Sequence, residues 1–201
     1  MGSLSDRVLM GLDVGQKRSP TALCVAQSDD RGGQRRTVYH YSVRHLERLA
    51  LGTSYPEVAE RVAQVARALR RKTGQGAQLY VNATGLGQPL VDLLCDEASD
   101  LRQILPVYFN HGDQRTLEGG SLRLGKAYLV SRLQMLLQSR RLHLPRTNES
   151  EQLATELLEY EIEIEPDAND RYGAFRVGTR DDLVTALGLA VHHDPIGPGI
   201  Y

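Results

Sequence analysis

The amino-acid sequence predicts an α/β fold: one mixed β-sheet with helices on both of its faces. Three β-rich runs separated by short turn-forming stretches open the chain, which indicates an antiparallel three-stranded meander. After residue 55, helical apolar spacing alternates with strand-like runs, which indicates parallel strands joined by helices. Neither an internal repeat nor a Pro/Ser-rich linker interrupts the chain. We therefore expect a single domain over residues 1–201, with its core at 7–193 and a tail at 194–201.

The meander is predicted to consist of strands over 7–14, 20–27 and 36–43. The first of these is an apolar run that carries Asp13 near its end. A Gly/Ser/Pro turn leads to the second strand, and the DDRGGQ stretch at 29–34 leads to the third.

The later segments alternate between helical and strand-like spacing of their apolar residues. Helices are predicted over 55–72, 89–98, 126–139, 149–161 and 180–193, and strands over 77–85, 103–109 and 141–145. Thr53 or Ser54 is the expected N-cap of the first helix. Residues 110–125 are expected to form a polar loop or hairpin, and 161–178 a hairpin around Asp167 to Asp170.

Composition narrows the function classes. Hydrophobic residues make up 41% of the chain, charged residues 24%, and the formal net charge is -1, so no overall basic field attracts nucleic acid. Cys24 and Cys95 fit no zinc or redox motif and are expected to be buried in a reducing compartment. The absence of a signal peptide or a long apolar run leads us to expect no membrane partner and a cytoplasmic location.

Polar residues fall where predicted elements begin or end. Asp13 ends the first strand, Asn82 lies in the fourth strand just before a glycine turn, and Asp181 and Asp182 begin the last helix. If the first and fourth strands are neighbours, a last helix packed on the sheet brings these side chains together. Gathered carboxylates repel one another unless cations lie between them, and hard oxygen ligands suit Mg²⁺ or Mn²⁺. Two such ions would support phosphoryl transfer. A strand-end turn residue and a helix cap remain the alternative interpretations of these acids.

Several Lys and Arg side chains are candidates for contacts with DNA phosphates. The candidates for DNA binding are Lys126, Arg123 and Arg115 around the polar loop, together with Lys17 and Arg18 beside the first strand. His192 and His193 are expected in a solvated turn after the last helix.

Five segments carry a family resemblance. GLDVG, SYPEVAERV, VNATGLGQPLVDLL, KAYLVSRLQMLLQSRRLHLP and TRDDLVTALGLA resemble, in order and spacing, the nuclease domain of tailed-phage large terminase subunits, within the ribonuclease H-like superfamily. The similarity extends over roughly residues 9–191. It implies a ribonuclease H-like fold and an endonuclease that cuts concatemeric DNA during genome packaging, by two-metal phosphodiester hydrolysis in the bacterial host cytoplasm. The implied partners are double-stranded DNA, the ATPase motor domain, the small terminase subunit and the portal.

The resemblance also implies which residues bind the metals. The family's first acid corresponds to Asp13 and its last to Asp181, with Asp182 as a second ligand. The family's middle acid corresponds to Asn82, where an amide lowers the negative charge and weakens or abolishes activity, unless Asp92 or Glu57 substitutes. Whether Asn82 is natural or engineered is open.

The resemblance leaves further alternatives. The GGSLRLGK stretch at 119–126 lacks the Ser/Thr of a phosphate-binding loop, so the chain is an excised nuclease domain or a stand-alone relative. A Holliday-junction resolvase-like nuclease shares a first strand of the GLDVGQKR type. An actin-like or sugar-kinase-like nucleotide-binding module and a catalytically silent DNA-binding or assembly domain also remain open.

Overall fold

The computed structural model describes residues 7–15, 19–32, 37–85, 88–110, 112–163, 171–173 and 180–195. Its strands are β1 (Arg7–Asp13), β2 (Ala22–Asp30), β3 (Tyr39–Arg48), β4 (Gln78–Asn82), β5 (Gln103–Asn110), β6 (Arg115–Glu118), β7 (Ser121–Gly125), β8 (Leu142–His143), β9 (Glu161–Glu163) and β10 (Arg171–Gly173). Its helices are α1 (Tyr55–Thr73), α2 (Gln88–Glu97), α3 (Lys126–Gln138), α4 (Asn148–Glu159) and α5 (Asp182–Val191).

Within these residues, the main sheet has the strand order β6-β7-β5-β4-β1-β2-β3-β8. Strands β1, β2 and β3 pair antiparallel, which confirms the predicted meander. Strands β4, β5 and β7 continue from β1 in parallel pairs, so the predicted mixed sheet is also confirmed.

The stretch predicted as a loop or hairpin at 110–125 contains the β6–β7 hairpin, which extends the sheet by pairing with β5. The predicted hairpin at 161–178 is represented by the β9–β10 pair, while its expected turn at 167–170 lies outside the described residues. β3 extends to Arg48, beyond the predicted end at residue 43, because a bulge at Val25/Ala26 lets it keep pairing with β2.

Two apolar layers cover the sheet. Helices α1 and α2 pack on one face through Val58, Val62, Leu90 and Leu94, against Met10 and Leu12 of β1. Helices α3, α4 and α5 pack on the other face, against residues that include Leu9 and Tyr80. Because side chains alternate along a strand, even-numbered β1 residues face α1 and odd-numbered ones face α5.

Two expectations about burial were wrong. Cys95 is exposed, because Leu90, Val91, Leu94 and Ala98 occupy the buried side of the α2 segment. His192 is fully buried rather than solvated, with its ring edge-to-face on Tyr80 at a centroid distance of 4.4 Å. The chain after α5 is held against the protein: Tyr41 donates to the His193 carbonyl, and Arg132 pairs with Asp194.

None of the helices in the described residues combines the length and apolar character that crossing a membrane requires.

Candidate active site

Asp13 and Asn82 lie side by side at one edge of the sheet. β1 and β4 are parallel neighbours, and Leu12 of β1 lies opposite Val81 of β4. Asp13 and Asn82 are the residues that follow these two, so they are neighbours at the ends of the two strands. Asp13 is an odd-numbered residue of β1, and Asn82 follows Tyr80 by two positions. Both side chains therefore point to the face that α5 covers.

Helix α5 approaches β1 closely because Gly11 has no side chain. A Cβ at Gly11 would lie 2.0 Å from the Ala186 carbonyl oxygen and 2.7 Å from the Ala190 nitrogen. From Ala186 back to Asp181 the helix rises by ~7.5 Å, and from Gly11 forward to Asp13 the strand advances by ~6.6 Å. The N-terminus of α5 therefore arrives at the level of Asp13.

Burial raises the pKa of Asp13 to about 7, against an opposing hydrogen bond from Asn82. The negative charges of Asp181 and Asp182 raise it further, and Lys126 lowers it. Asn82 of β4 and the two aspartates at the start of α5 thus all act on the Asp13 carboxyl, so the first strand, the fourth strand and the last helix meet at this edge.

The Asn82 amide is oriented by two hydrogen bonds. Its Nδ2 donates to Asp13 Oδ1 at 2.7 Å, and its Oδ1 accepts from the Thr84 backbone N–H at 3.1 Å. A flipped amide would direct its oxygen at a carboxylate and its NH₂ at an N–H, so this orientation is the one the surroundings select.

The neighbouring acids Asp181 and Asp182 have different surroundings. Asp181 occupies the N-cap position of α5, but its side chain makes no capping hydrogen bond. Asp182 is 3% exposed and accepts a 2.6 Å hydrogen bond from Arg48 Nε. Asp182 is therefore committed to a buried ion pair.

Sequence reasoning missed Arg48 and Glu156. Arg48 ion-pairs with Glu156 as well as with Asp182, and Glu156 is 4% exposed. Burial raises the pKa of Glu156 to about 7, with Asp182 adding to the rise and Arg48 opposing it. A signal was available: Glu156 follows Leu153 by three residues and so lies on the buried face of its helix.

The candidate DNA-binding residues have different surroundings. Lys126 begins α3 close to Asp13, with its Nζ 5.9 Å from the centre of the Phe109 ring. Arg123 is 61% exposed on the β6–β7 hairpin and pairs with Glu118. Arg115 turns inward, where its charge acts on Tyr80, His192 and His193. Lys17 and Arg18 lie outside the described residues.

Glu57 and Asp92, the two residues considered as substitutes for an acid at position 82, lie away from this sheet edge. The Glu57 carboxylate accepts hydrogen bonds from the Ser54 N–H (2.8 Å) and hydroxyl (2.6 Å), so it caps α1. Asp92 is exposed on α2, a helix of the opposite face of the sheet.

The residues at this edge suit a hard divalent cation. The donors of Asp13, Asn82 and Asp181 are all oxygens, and the raised pKa of Asp13 reflects burial and negative charge that a cation would offset. In the part of the chain that the structure describes, no three His, Cys, Asp or Glu side chains are grouped as a metal site requires.

Several solved structures of terminase nucleases share this architecture. The large terminase nuclease from thermophilic phage G20c, with bound magnesium, is 19% identical with a TM-score of 0.64, and the match covers 94% of this chain and 82% of that one. The nuclease domain from Thermus phage P74-26 is 18% identical (TM-score 0.60; coverage 92% and 78%). The manganese-soaked human cytomegalovirus terminase nuclease domain is 15% identical (TM-score 0.57; coverage 92% and 80%).

At these identities the similarity shows the ribonuclease H-like fold. No curated protein sequence matches the chain. The family model described as the terminase RNaseH-like domain matches residues 10–194, a range that includes Asp13, Asn82, Asp181 and Asp182 at the sheet edge. The chain belongs to the terminase RNaseH-like domain family.

Proposed function

We propose that this chain is a Mg²⁺- or Mn²⁺-dependent DNA endonuclease that cuts concatemeric viral DNA during genome packaging. The observation that carries the proposal is the meeting of Asp13, Asn82 and the N-terminus of α5 at one sheet edge. Family membership supports it, as do the magnesium bound to the phage G20c nuclease and the manganese soaked into the cytomegalovirus nuclease domain.

The residues have distinct roles in this proposal. Asp13 and Asp181 provide carboxylate oxygens, and Asn82 provides a neutral oxygen while its NH₂ orients Asp13. A divalent cation held there would lower the pKa of a water and stabilise charge on the scissile phosphate. Lys126 offsets negative charge beside Asp13 and contacts a DNA phosphate. Asp182 acts through the ion pair that fixes α5.

The number of metals depends on Asn82. Two cations bring four positive charges, and an asparagine supplies none of the charge that an aspartate would. We propose that the site binds one cation firmly and a second one weakly, so that cleavage requires a high metal concentration.

A second candidate is a catalytically silent DNA-binding or assembly domain. The hydrogen bond from Asn82 to Asp13 favours it, because this bond satisfies one Asp13 oxygen without any cation.

One experiment separates the two candidates. Supercoiled plasmid is incubated with Mn²⁺ and either the wild type, Asp13→Asn or Asn82→Asp. The nuclease proposal expects cleavage by the wild type, loss of cleavage with Asp13→Asn, and faster cleavage with Asn82→Asp at low Mn²⁺. DNA binding without cleavage by the wild type, together with cleavage by Asn82→Asp, would identify the silent domain. The metal site would be contradicted if neither the wild type nor Asn82→Asp cleaves DNA and Asp13→Asn leaves Mn²⁺ binding unchanged.

The setting of this activity is part of the same proposal. The partners are double-stranded DNA, an ATPase motor domain, a small terminase subunit and a portal, in the cytoplasm of a bacterial host. Co-purification of the chain with a motor domain from the same phage tests the association.

A further inference from the structure

A short turn at the end of β4 holds both ends of the Asn82 amide. The Asn82 Oδ1 accepts from the Thr84 backbone N–H at 3.1 Å, which makes residues 82–84 an Asx-turn. The Nδ2 of the same amide donates to Asp13 Oδ1 at 2.7 Å. The position of the Thr84 backbone therefore determines how the Asn82 side chain meets Asp13.

This turn is itself tied to the neighbouring strand β5. The Ala83 N–H donates to the Val107 carbonyl at 2.8 Å, and the Phe109 N–H donates to the Thr84 hydroxyl at 2.9 Å. In a continued parallel ladder the Phe109 N–H would go to the Ala83 carbonyl, so the hydroxyl accepts in its place. Gly85 follows with a φ of +77°, where the chain turns away from the sheet.

Thr84 thus makes two hydrogen bonds with different purposes. Its N–H orients the Asn82 amide, and its hydroxyl joins the turn to Phe109 of β5. Thr84 is exposed, so burial of its side chain does little to hold it in place. The hydroxyl is therefore the group of this side chain that fixes the backbone N–H on which the Asn82 orientation depends.

We propose that Thr84 is a positioning residue that holds the Asn82 amide against Asp13 and thereby strengthens cation binding at the sheet edge. The Asn82 oxygen has two lone pairs, and the Thr84 N–H uses one of them. A ligand that is already held in place loses less conformational freedom when a cation binds. This inference rests on the proposed metal-dependent function, in which Asn82 provides an oxygen.

The test compares three substitutions of threonine. Thr84→Val keeps the branched shape of the side chain but removes the hydroxyl, whereas Thr84→Ser keeps the hydroxyl. Thr73→Val is the matched control, because Thr73 is also exposed and its hydroxyl donates to the Leu69 carbonyl at 2.8 Å, in α1 on the opposite face of the sheet. Circular dichroism melting monitors the fold of each variant.

Two quantities are measured. Nuclear magnetic resonance follows the exchange of the Asn82 side-chain NH₂ protons with water in the metal-free protein, and the loss of these signals in Asn82→Asp assigns them. The electron paramagnetic resonance signal of free Mn²⁺ gives the Mn²⁺ affinity. The first measurement reports the orientation of the amide directly, and a change in overall stability alone would not single out this NH₂ group.

We expect the Asn82 NH₂ protons to exchange faster in Thr84→Val than in the wild type. The Mn²⁺ affinity of this variant should fall about tenfold, the lower end of the loss seen when a group that orients a ligand is removed. Thr84→Ser should restore both properties. Thr73→Val should leave NH₂ exchange unchanged and alter Mn²⁺ affinity by less than about twofold, as for an ordinary surface substitution.

The outcomes separate this inference from the function on which it rests. Unchanged or tighter Mn²⁺ binding by folded Thr84→Val overturns the positioning role, and so does an equal loss in Thr84→Ser, which lacks only the methyl group. Failure of the wild type to bind Mn²⁺ overturns the proposed function, whereas faster NH₂ exchange in Thr84→Val would still support the orientation of Asn82 by Thr84.

Discussion

Asn82 Nδ2 lies 2.7 Å from Asp13 Oδ1, so an amide hydrogen bond joins the two residues at the ends of the neighbouring parallel strands β1 and β4. A carboxylate at residue 82 would have no proton to donate and would repel Asp13. The hydrogen bond stabilises the metal-free arrangement of the two side chains. An amide at residue 82 also gives the proposed cation less negative charge to bind than a carboxylate would.

Asn82→Asp should therefore make stability depend on metal. Without metal we expect the free energy of unfolding to fall by about 1–3 kcal/mol, because a hydrogen bond is replaced by repulsion. Affinity for Mn²⁺ should rise at least about tenfold, since a unit charge ~4 Å from a cation contributes several kcal/mol even at moderate dielectric. Thermal melting with and without Mn²⁺ measures both effects. Asn82→Ala, which removes the hydrogen bond without adding charge, should lose stability without gaining Mn²⁺ affinity; an equal gain would contradict the argument.

Lys126→Ala should impair cleavage more than DNA binding. Lys126 acts on the Asp13 carboxyl, whereas Arg123 is exposed and paired with Glu118 on the hairpin. We expect Lys126→Ala to lower the cleavage rate at saturating DNA, and Arg123→Ala to weaken binding alone, with the salt slope reduced by about one. Lys72→Ala, at the exposed end of α1, is the control. Equal effects of the Lys126 and Lys72 variants on cleavage would show that Lys126 acts only as a surface charge.

Periodicity and turn residues were sufficient to predict the strands and helices around the site, whereas the adjacency of the first and fourth strands entered only as a condition. The parallel pairing of β1 with β4 meets that condition and places Asp13 beside Asn82. The Arg48–Glu156 ion pair joins residues 108 positions apart in the sequence, and local patterns carry no information about such a pairing. The burial of His192 was unpredictable for the same reason: it depends on Tyr80 and on the hydrogen bond of Tyr41 to the His193 carbonyl.

Gly11→Ala should separate α5 from β1. The added methyl group would meet backbone atoms, the Ala186 oxygen at 2.0 Å and the Ala190 nitrogen at 2.7 Å, so the helix itself would have to move. We expect a loss of at least about 1–3 kcal/mol in the free energy of unfolding, together with weaker Mn²⁺ binding as Asp181 moves away from Asp13. Gly188→Ala is the comparison, since the three atoms nearest to its new methyl group all belong to the Leu129 side chain, which can change rotamer. Equal losses of Mn²⁺ affinity in both variants would contradict a role for Gly11 in setting the site.

Acid should destabilise the protein through its buried histidines. Burial lowers the pKa of His192 well below 6.5 and that of His193 to about 3, with nearby charges contributing. Between pH 6.5 and these lower values, the unfolded chain binds protons that the folded protein does not, so the free energy of unfolding falls as pH falls. Each histidine contributes up to about 1.4 kcal/mol per pH unit. The raised pKa values of Asp13 and Glu156 act in the opposite direction over the same interval.

The contribution of His192 to the pH dependence of stability is therefore measured as the difference between the wild type and a variant that lacks this histidine. Urea unfolding of the wild type and of His192→Phe is measured at pH 7.5, 6.5 and 5.5. His192→Phe keeps an aromatic ring against Tyr80 but cannot take up a proton in the unfolded chain. We expect the stability of this variant relative to the wild type to increase by about 1 kcal/mol between pH 6.5 and 5.5, because the unfolded histidine is already half protonated at pH 6.5. A relative stability that stays constant with pH would show that His192 does not titrate differently in the folded and unfolded states.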